Sequence, residues 1–178
     1  MQQTLTGSTL LADAHKGSER AFEDLVGPLV EPGYRLACGM LHDSFAAQDA
    51  VQEATLKAWR KLRQVQTGDK VRPWFLGIVA NECRNARRLK WTSSVTLGMP
   101  ELAGRSAEDS IVRDADLRRA LAQLSHEDRA VVVLFFYLDL PLEEVAAVVG
   151  SSPAAARARL YRSVRKMRPD LEIEEALK

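Results

Sequence analysis

Apolar residues along this chain recur at intervals of three and four and nowhere alternate at two, which is the period of helices packed on one face. The expectation is therefore all-α. Ser18 can cap a helix carrying Phe22, Leu25, Val26 and Leu29, which Pro28 should bend or shorten, and helix resumes from Tyr34 to Leu41 after Pro32-Gly33. Ser44 opens a long helix to about Arg63, with Val51, Thr55, Ala58, Trp59 and Leu62 inward. Pro73 stands near the start of another, running through Trp74, Ile78 and Ala86 to about Leu89.

Between 91 and 107 the pattern stops: five Ser or Thr, two Gly and one Pro fall there with no helical period. This predicts two small helical domains, 10–90 and 111–170, joined by a flexible linker at 91–110. In the second, Ile111, Leu117, Ala120, Leu121 and Leu124 resume the helical spacing, and Ser125-His-Glu-Asp128 reads as a capping box with Asp in place of Glu. Arg129 to Leu138 is apolar on every side, as a central buried helix would be.

The net charge of +1 conceals an alternation. Residues 1–56 carry a net −5, 57–90 a net +8, 91–156 a net −5, 157–168 a net +6 and 169–178 a net −3. Two basic blocks in an otherwise acidic chain fit two contacts with a polyanion; charge alone fits two solvated helix faces equally well.

The most specific local signal is Leu142 to Tyr161, which reads as a helix-turn-helix. Leu142, Val145, Ala146 and Val149 face inward on the first helix, and Gly150 can take the left-handed conformation that ends it. Ser152 caps the second helix and Pro153 starts it. Ala156 and Leu160 are its buried side, so Arg157, Arg159, Arg162, Arg165, Lys166 and Arg168 must line the exposed sides. A basic second helix is what major-groove binding requires, whereas an ordinary helical hairpin could carry a solvated basic face.

The other basic block differs in kind. Trp74, Ile78, Asn81, Asn85 and Arg88 form one stripe by steps of four and three. Asn in a helix interior is mildly unfavourable, but its amide can bond base edges, and Arg84, Arg87, Arg88 and Lys90 beside it can hold phosphates. Solvent-exposed Asn of no consequence would read the same. Asp49, Gln52 and Glu53 share the outer face of the helix from Ser44, and such a patch suits a protein with a basic surface better than DNA.

Together these residues resemble an extracytoplasmic-function sigma factor, a small class of bacterial RNA polymerase specificity subunits. Asp49-Ala-Val-Gln-Glu-Ala-Thr-Leu-Lys-Ala-Trp-Arg60 is similar to the family's polymerase-binding helix, which implies that Asp49, Gln52 and Glu53 bind the clamp coiled coil. Pro73 to Arg88 is similar to the minus-ten helix, which implies that Asn81 meets a flipped non-template base, with Arg84, Asn85 and Arg88 beside it. Leu124 to Ala130 and the helix-turn-helix are similar to the minus-thirty-five domain, with Ser152, Arg157, Arg159, Arg162 and Arg165 toward DNA. Phe75, Pro141 and Ala154 to Ala156 depart from the family's usual residues. The partners implied are core RNA polymerase, through its clamp coiled coil and flap, promoter DNA, and an anti-sigma factor where one controls the protein.

Catalysis has no visible carrier. There is no Walker loop, GxGxxG, nucleophile elbow or HExxH, so no enzyme is expected. Cys38 and His42 stand four apart without an evident third ligand, and no metal or cofactor is expected. The longest apolar run, Val131 to Leu138, is too short for a bilayer, and the first residues show no basic-then-apolar leader, so the expectation is cytoplasmic. Two other readings fit parts of the pattern. One is a sigma-like mimic that sequesters an anti-sigma factor, which would have no reason to keep six basic residues from 157 to 168. The other is a helix-turn-helix regulator that binds duplex DNA alone as a dimer.

Overall fold

The computed structural model describes residues 2–97 and 115–167, with side chains placed for 7–89 and 119–167. Among the described residues it is all helical. The N-terminal unit is α1 (Gln2–His15), α2 (Glu19–Leu41), α3 (Ser44–Lys61) and α4 (Val71–Leu97), and the C-terminal unit is α5 (Ala115–Ala122), α6 (His126–Val132), α7 (Leu142–Val149) and α8 (Pro153–Met167). No described helix is long and apolar enough to cross a membrane.

Several expected boundaries shift. α2 is one helix running past both Pro28 and Pro32, not two. The prolines are four apart and so share a face; Pro28 is exposed, where water can satisfy the carbonyl its missing N–H leaves unpaired. The cap of α3 is Asp43, whose carboxylate accepts the Ala46 N–H at 3.0 Å, and Ser44 is the first helical residue. α4 extends to Leu97, so 91–97 of the expected linker are helical; 98–110 lie outside the described residues, as do the side chains of Ile111 and Leu117. α1 is an addition to the expected elements: Leu11 and Ala14 bury against Ala21, Leu62, Val65 and Val71 in a small core of their own.

The large core is shared by both units. Leu36, Ala37 and Met40 of α2, Ala47, Ala54 and Ala58 of α3, and Phe75, Leu76 and Val79 of α4 belong to one apolar cluster with Val131, Leu134, Val145, Val148 and Leu160. Small residues set the approach. A Cβ on Gly39 would meet Val133 Cγ2 at 2.9 Å, and one on Gly77 would touch the Val148 backbone at 3.9 Å. The expected buried helix Arg129 to Leu138 is instead α6 followed by a π-helical turn, Val133–Tyr137, closed by Leu138 N–H on the Val133 carbonyl at 2.9 Å. That turn brings Phe136 and Tyr137 to the surface.

Candidate nucleic-acid interface

The helix-turn-helix forms as its sequence requires. Gly150 takes φ +69°, and its N–H and that of Ser151 cap the last α7 carbonyls. Ser152 Oγ accepts the Ala155 N–H at 3.2 Å, and Pro153 opens α8. Ala156, Leu160, Ser163, Val164 and Met167 turn inward, while Ser152, Arg157, Arg162, Arg165 and Lys166 are exposed and Arg159 is half-buried. Arg168 lies outside the described residues. On α7, Val145 and Ala146 bury as expected, but Leu142 and Val149 are only half-buried and Val148 takes the deeper place. Val148 packs toward Gly77 of α4, a partner that the period of a single helix does not disclose.

On α4, Phe75, Leu76, Val79, Ala80 and Cys83 are fully buried, which turns Asn81, Arg87 and Arg88 to the surface and leaves Arg84 and Asn85 half-buried. Burial pushes the Cys83 thiol up to about 12, so it is a packing residue rather than a nucleophile. The Asn81 amide is oriented by its neighbour: Arg84 Nη1 donates to Asn81 Oδ1 at 3.0 Å, which leaves the Asn81 NH₂ facing outward. Lys90 has no described side chain.

Arg84 and Arg159 both meet Glu127, a residue of the Ser125–Asp128 cap. Arg84 Nε and Nη2 donate to the two Glu127 carboxylate oxygens at 2.8 and 3.2 Å, and Nη2 also reaches the Val149 carbonyl at 3.4 Å. Arg159 Nη1 lies 3.6 Å from the same Glu127, and Asp128 takes Arg159 Nε at 3.9 Å and Lys166 Nζ at 3.6 Å. The Arg84 hydrogen bonds hold the Glu127 carboxyl below its ordinary range, against the opposing effect of burial. Residues 127 and 128 still sit where a cap places them, with Ser125 Oγ accepting the Asp128 N–H.

The acidic and amide patch of α3 lies elsewhere. Asp49, Gln52 and Glu53 are all exposed on α3, as their spacing implies, and Leu56 continues the same face at 47% exposure. Leu56 was legible as an apolar residue three and four places beyond Glu53 and Gln52 that fits no inward stripe. Lys57 braces the patch, with Nζ 3.3 Å from Glu53 and 2.6 Å from Glu82 on α4. Of the predicted inner face of α3, Val51, Ala58 and Leu62 are buried and Thr55 half-buried, but Trp59 is 39% exposed, edge-on to Phe22. Cys38 and His42 acquire no third ligand: among the described residues no three His, Cys, Asp or Glu side chains gather as a metal site.

With this geometry in view, the chain can be set beside known proteins. The family model described as Sigma-70 region 2 matches residues 22–92, and that described as Sigma-70, region 4 matches 114–167. RNA polymerase sigma factor SigV of Bacillus subtilis is 30% identical over 146 residues, 80% of this chain and 86% of that one. ECF RNA polymerase sigma factor SigL of Mycobacterium tuberculosis is 31% identical over 147 residues, 78% of this chain and 82% of that one. In fold, the chain resembles the sigma factor RpoE of Bartonella quintana, solved with the anti-sigma factor NepR, at a TM-score of 0.72 and 20% identity, covering 86% of this chain and 98% of that one. CnrH, solved with the cytosolic domain of CnrY, gives 0.70 and 24%, covering 95% and 99%. The chain belongs to the extracytoplasmic-function sigma factors, promoter-recognising initiation factors of RNA polymerase that are not enzymes.

Proposed function

We propose that the work of a sigma factor is divided here among three faces. Asp49, Gln52 and Glu53, with Leu56, dock on the clamp coiled coil of core polymerase, and the C-terminal unit rests on the flap. Asn81 captures an unstacked non-template base at the minus-ten element while Arg84, Asn85 and Arg88 hold the strand. Ser152, Arg157, Arg159, Arg162 and Arg165 present α8 to the major groove at the minus-thirty-five element. The observation that carries this reading is the outward Asn81 amide on α4 together with the exposed arginines of α8, on two helices whose other faces are fully buried. A chain working on core polymerase and DNA works in the cytoplasm. An anti-sigma factor, where one exists, would act by covering the α3 or α8 face.

Asn81→Ala separates the roles. It exchanges a poor helix former for the best one, so a loss cannot come from a weakened helix. Closed-complex binding should survive and strand opening, read by permanganate footprinting, should fall; normal opening on intact duplex would remove Asn81 from the site. Asp49→Lys with Glu53→Lys should weaken co-purification with core enzyme, and unchanged co-purification would remove the α3 face.

A further inference from the structure

α8 carries one aromatic residue, Tyr161, and it stands 51% exposed among arginines. The core does not claim it, because Ala156, Leu160, Ser163, Val164 and Met167 already fill the inward side of the helix. Steps of four, three and four place Ala154, Ala158, Tyr161 and Arg165 on the opposite side, and all four are exposed. Side chains on a helix lean toward its N-terminus, which directs the Tyr161 ring back toward Ala158, whose single methyl leaves it room. Arg157 lies to one side of this line and Arg162 to the other, both exposed. The most outward surface of this basic helix is therefore apolar: two methyls and a ring, bracketed by cations.

Such a surface offers base edges few hydrogen-bonding groups. Recognition helices meet base edges with their N-terminal residues, and the first turn of α8 presents Ala154 and Ala155 there, with Ser152 Oγ already accepting the Ala155 N–H at 3.2 Å. In the major groove the group that an apolar contact favours is the thymine 5-methyl. The flanking arginines supply the phosphate attraction that brings DNA, rather than an apolar protein, to this face. Resting on the assignment of α8 to the minus-thirty-five element, we propose that Tyr161, with the methyls of Ala154 and Ala158, selects thymine at that element by packing against its 5-methyl group. The Tyr161 ring buries the methyl, and the alanines let the helix approach closely enough for the ring to reach it. Preference at these base pairs then rests on burial instead of the bidentate hydrogen bonds that arginine or asparagine would make, and uracil, which lacks only the methyl, is disfavoured.

The test uses the full chain bound to core RNA polymerase on a promoter it transcribes, with the thymines of the upstream element replaced one at a time by deoxyuridine. At one or two positions the wild-type holoenzyme should bind the deoxyuridine duplex about three- to fivefold more weakly, the effect of one buried methyl. Tyr161→Ala should bind the thymine duplex more weakly than the wild type does and should bind thymine and deoxyuridine duplexes alike. Each protein is compared with itself on two duplexes, so a smaller folded or core-bound fraction in the variant does not enter the ratio. Wild-type affinity unchanged by deoxyuridine at every position, or a thymine preference that survives in Tyr161→Ala, overturns the methyl readout and leaves this face to a protein partner. An upstream element that the wild-type holoenzyme does not protect, with Tyr161→Ala and Arg157→Ala both without effect, overturns instead the assignment of α8 beneath it.

Discussion

Lys57 of α3 and Glu82 of α4 meet with Nζ 2.6 Å from Oε2, joining the helix that carries Asp49, Gln52 and Glu53 to the helix that carries Asn81. Glu82 is nine-tenths buried, so its carboxylate depends on this partner, and Lys57 reaches on to Glu53 at 3.3 Å. The hydrogen bond that Lys57 donates to Glu82 is the largest influence raising the Lys57 ammonium above its ordinary 10.5. A raised folded value stabilises fully below 10.5 and is lost as pH climbs through the raised value. Thermal melting of the wild type should therefore drop beyond that pH more steeply than that of Lys57→Met. Lys57→Met should itself be less stable at neutral pH, and adding Glu82→Gln should recover part of the loss, because the acid left without its partner is then neutral.

Glu127 gives the opposite sign. Its carboxyl is held below 4.5, chiefly by the hydrogen bonds of Arg84, with the charges of Arg84, Arg159 and His126 adding to this. The docking it supplies is present above 4.5 and is lost as pH falls through the lowered value. Small-angle scattering should show the radius of gyration rising on acidification, with Arg84, Arg159 and His126 all facing the group that titrates. In Glu127→Gln that step should shrink or vanish.

Gly39→Ala probes the apolar contact between α2 and Val133. The new methyl would stand 2.9 Å from Val133 Cγ2, an overpacking that costs about 1–3 kcal/mol. Denaturant melts should register the loss, and pairing the change with Val133→Ala should relieve it, since the clashing branches are removed.

Arg157 and Arg162, both exposed on α8, should act through phosphates or base edges. Replacing a phosphate contact by Ala weakens all sequences alike and reduces the salt slope of holoenzyme binding by about one unit. Replacing a guanine contact costs about 1–3 kcal/mol and relaxes preference at one base pair. Titration of promoter affinity against salt distinguishes the two.

What could be read from the sequence was whatever one helix determines by itself. The turn at Gly150, the Ser152 cap and the inward Ala156 and Leu160 follow from local geometry, and the structure holds each of them. The outward set Asp49, Gln52 and Glu53 is a matter of period alone. The unity of α2 was not legible, because two prolines normally end a helix and only their shared face and the exposure of Pro28 let it continue. Nor was α1, whose burial depends on Leu62, Val65 and Val71, distant in sequence. The place of Glu127 between Arg84 and Arg159 depends on how two units dock, and no spacing along the chain encodes that.

On the division of faces proposed above, α4 and α8 of this chain direct polymerase to promoters. Run-off transcription of a genomic fragment library by core RNA polymerase, with and without the chain, tests it most directly. The expected result is a discrete set of new start sites that share two sequence elements upstream, abolished when Asn81→Ala, Arg157→Ala and Arg162→Ala are combined. Transcripts identical to those of core enzyme alone, or start sites unaffected by the triple substitution, would contradict it.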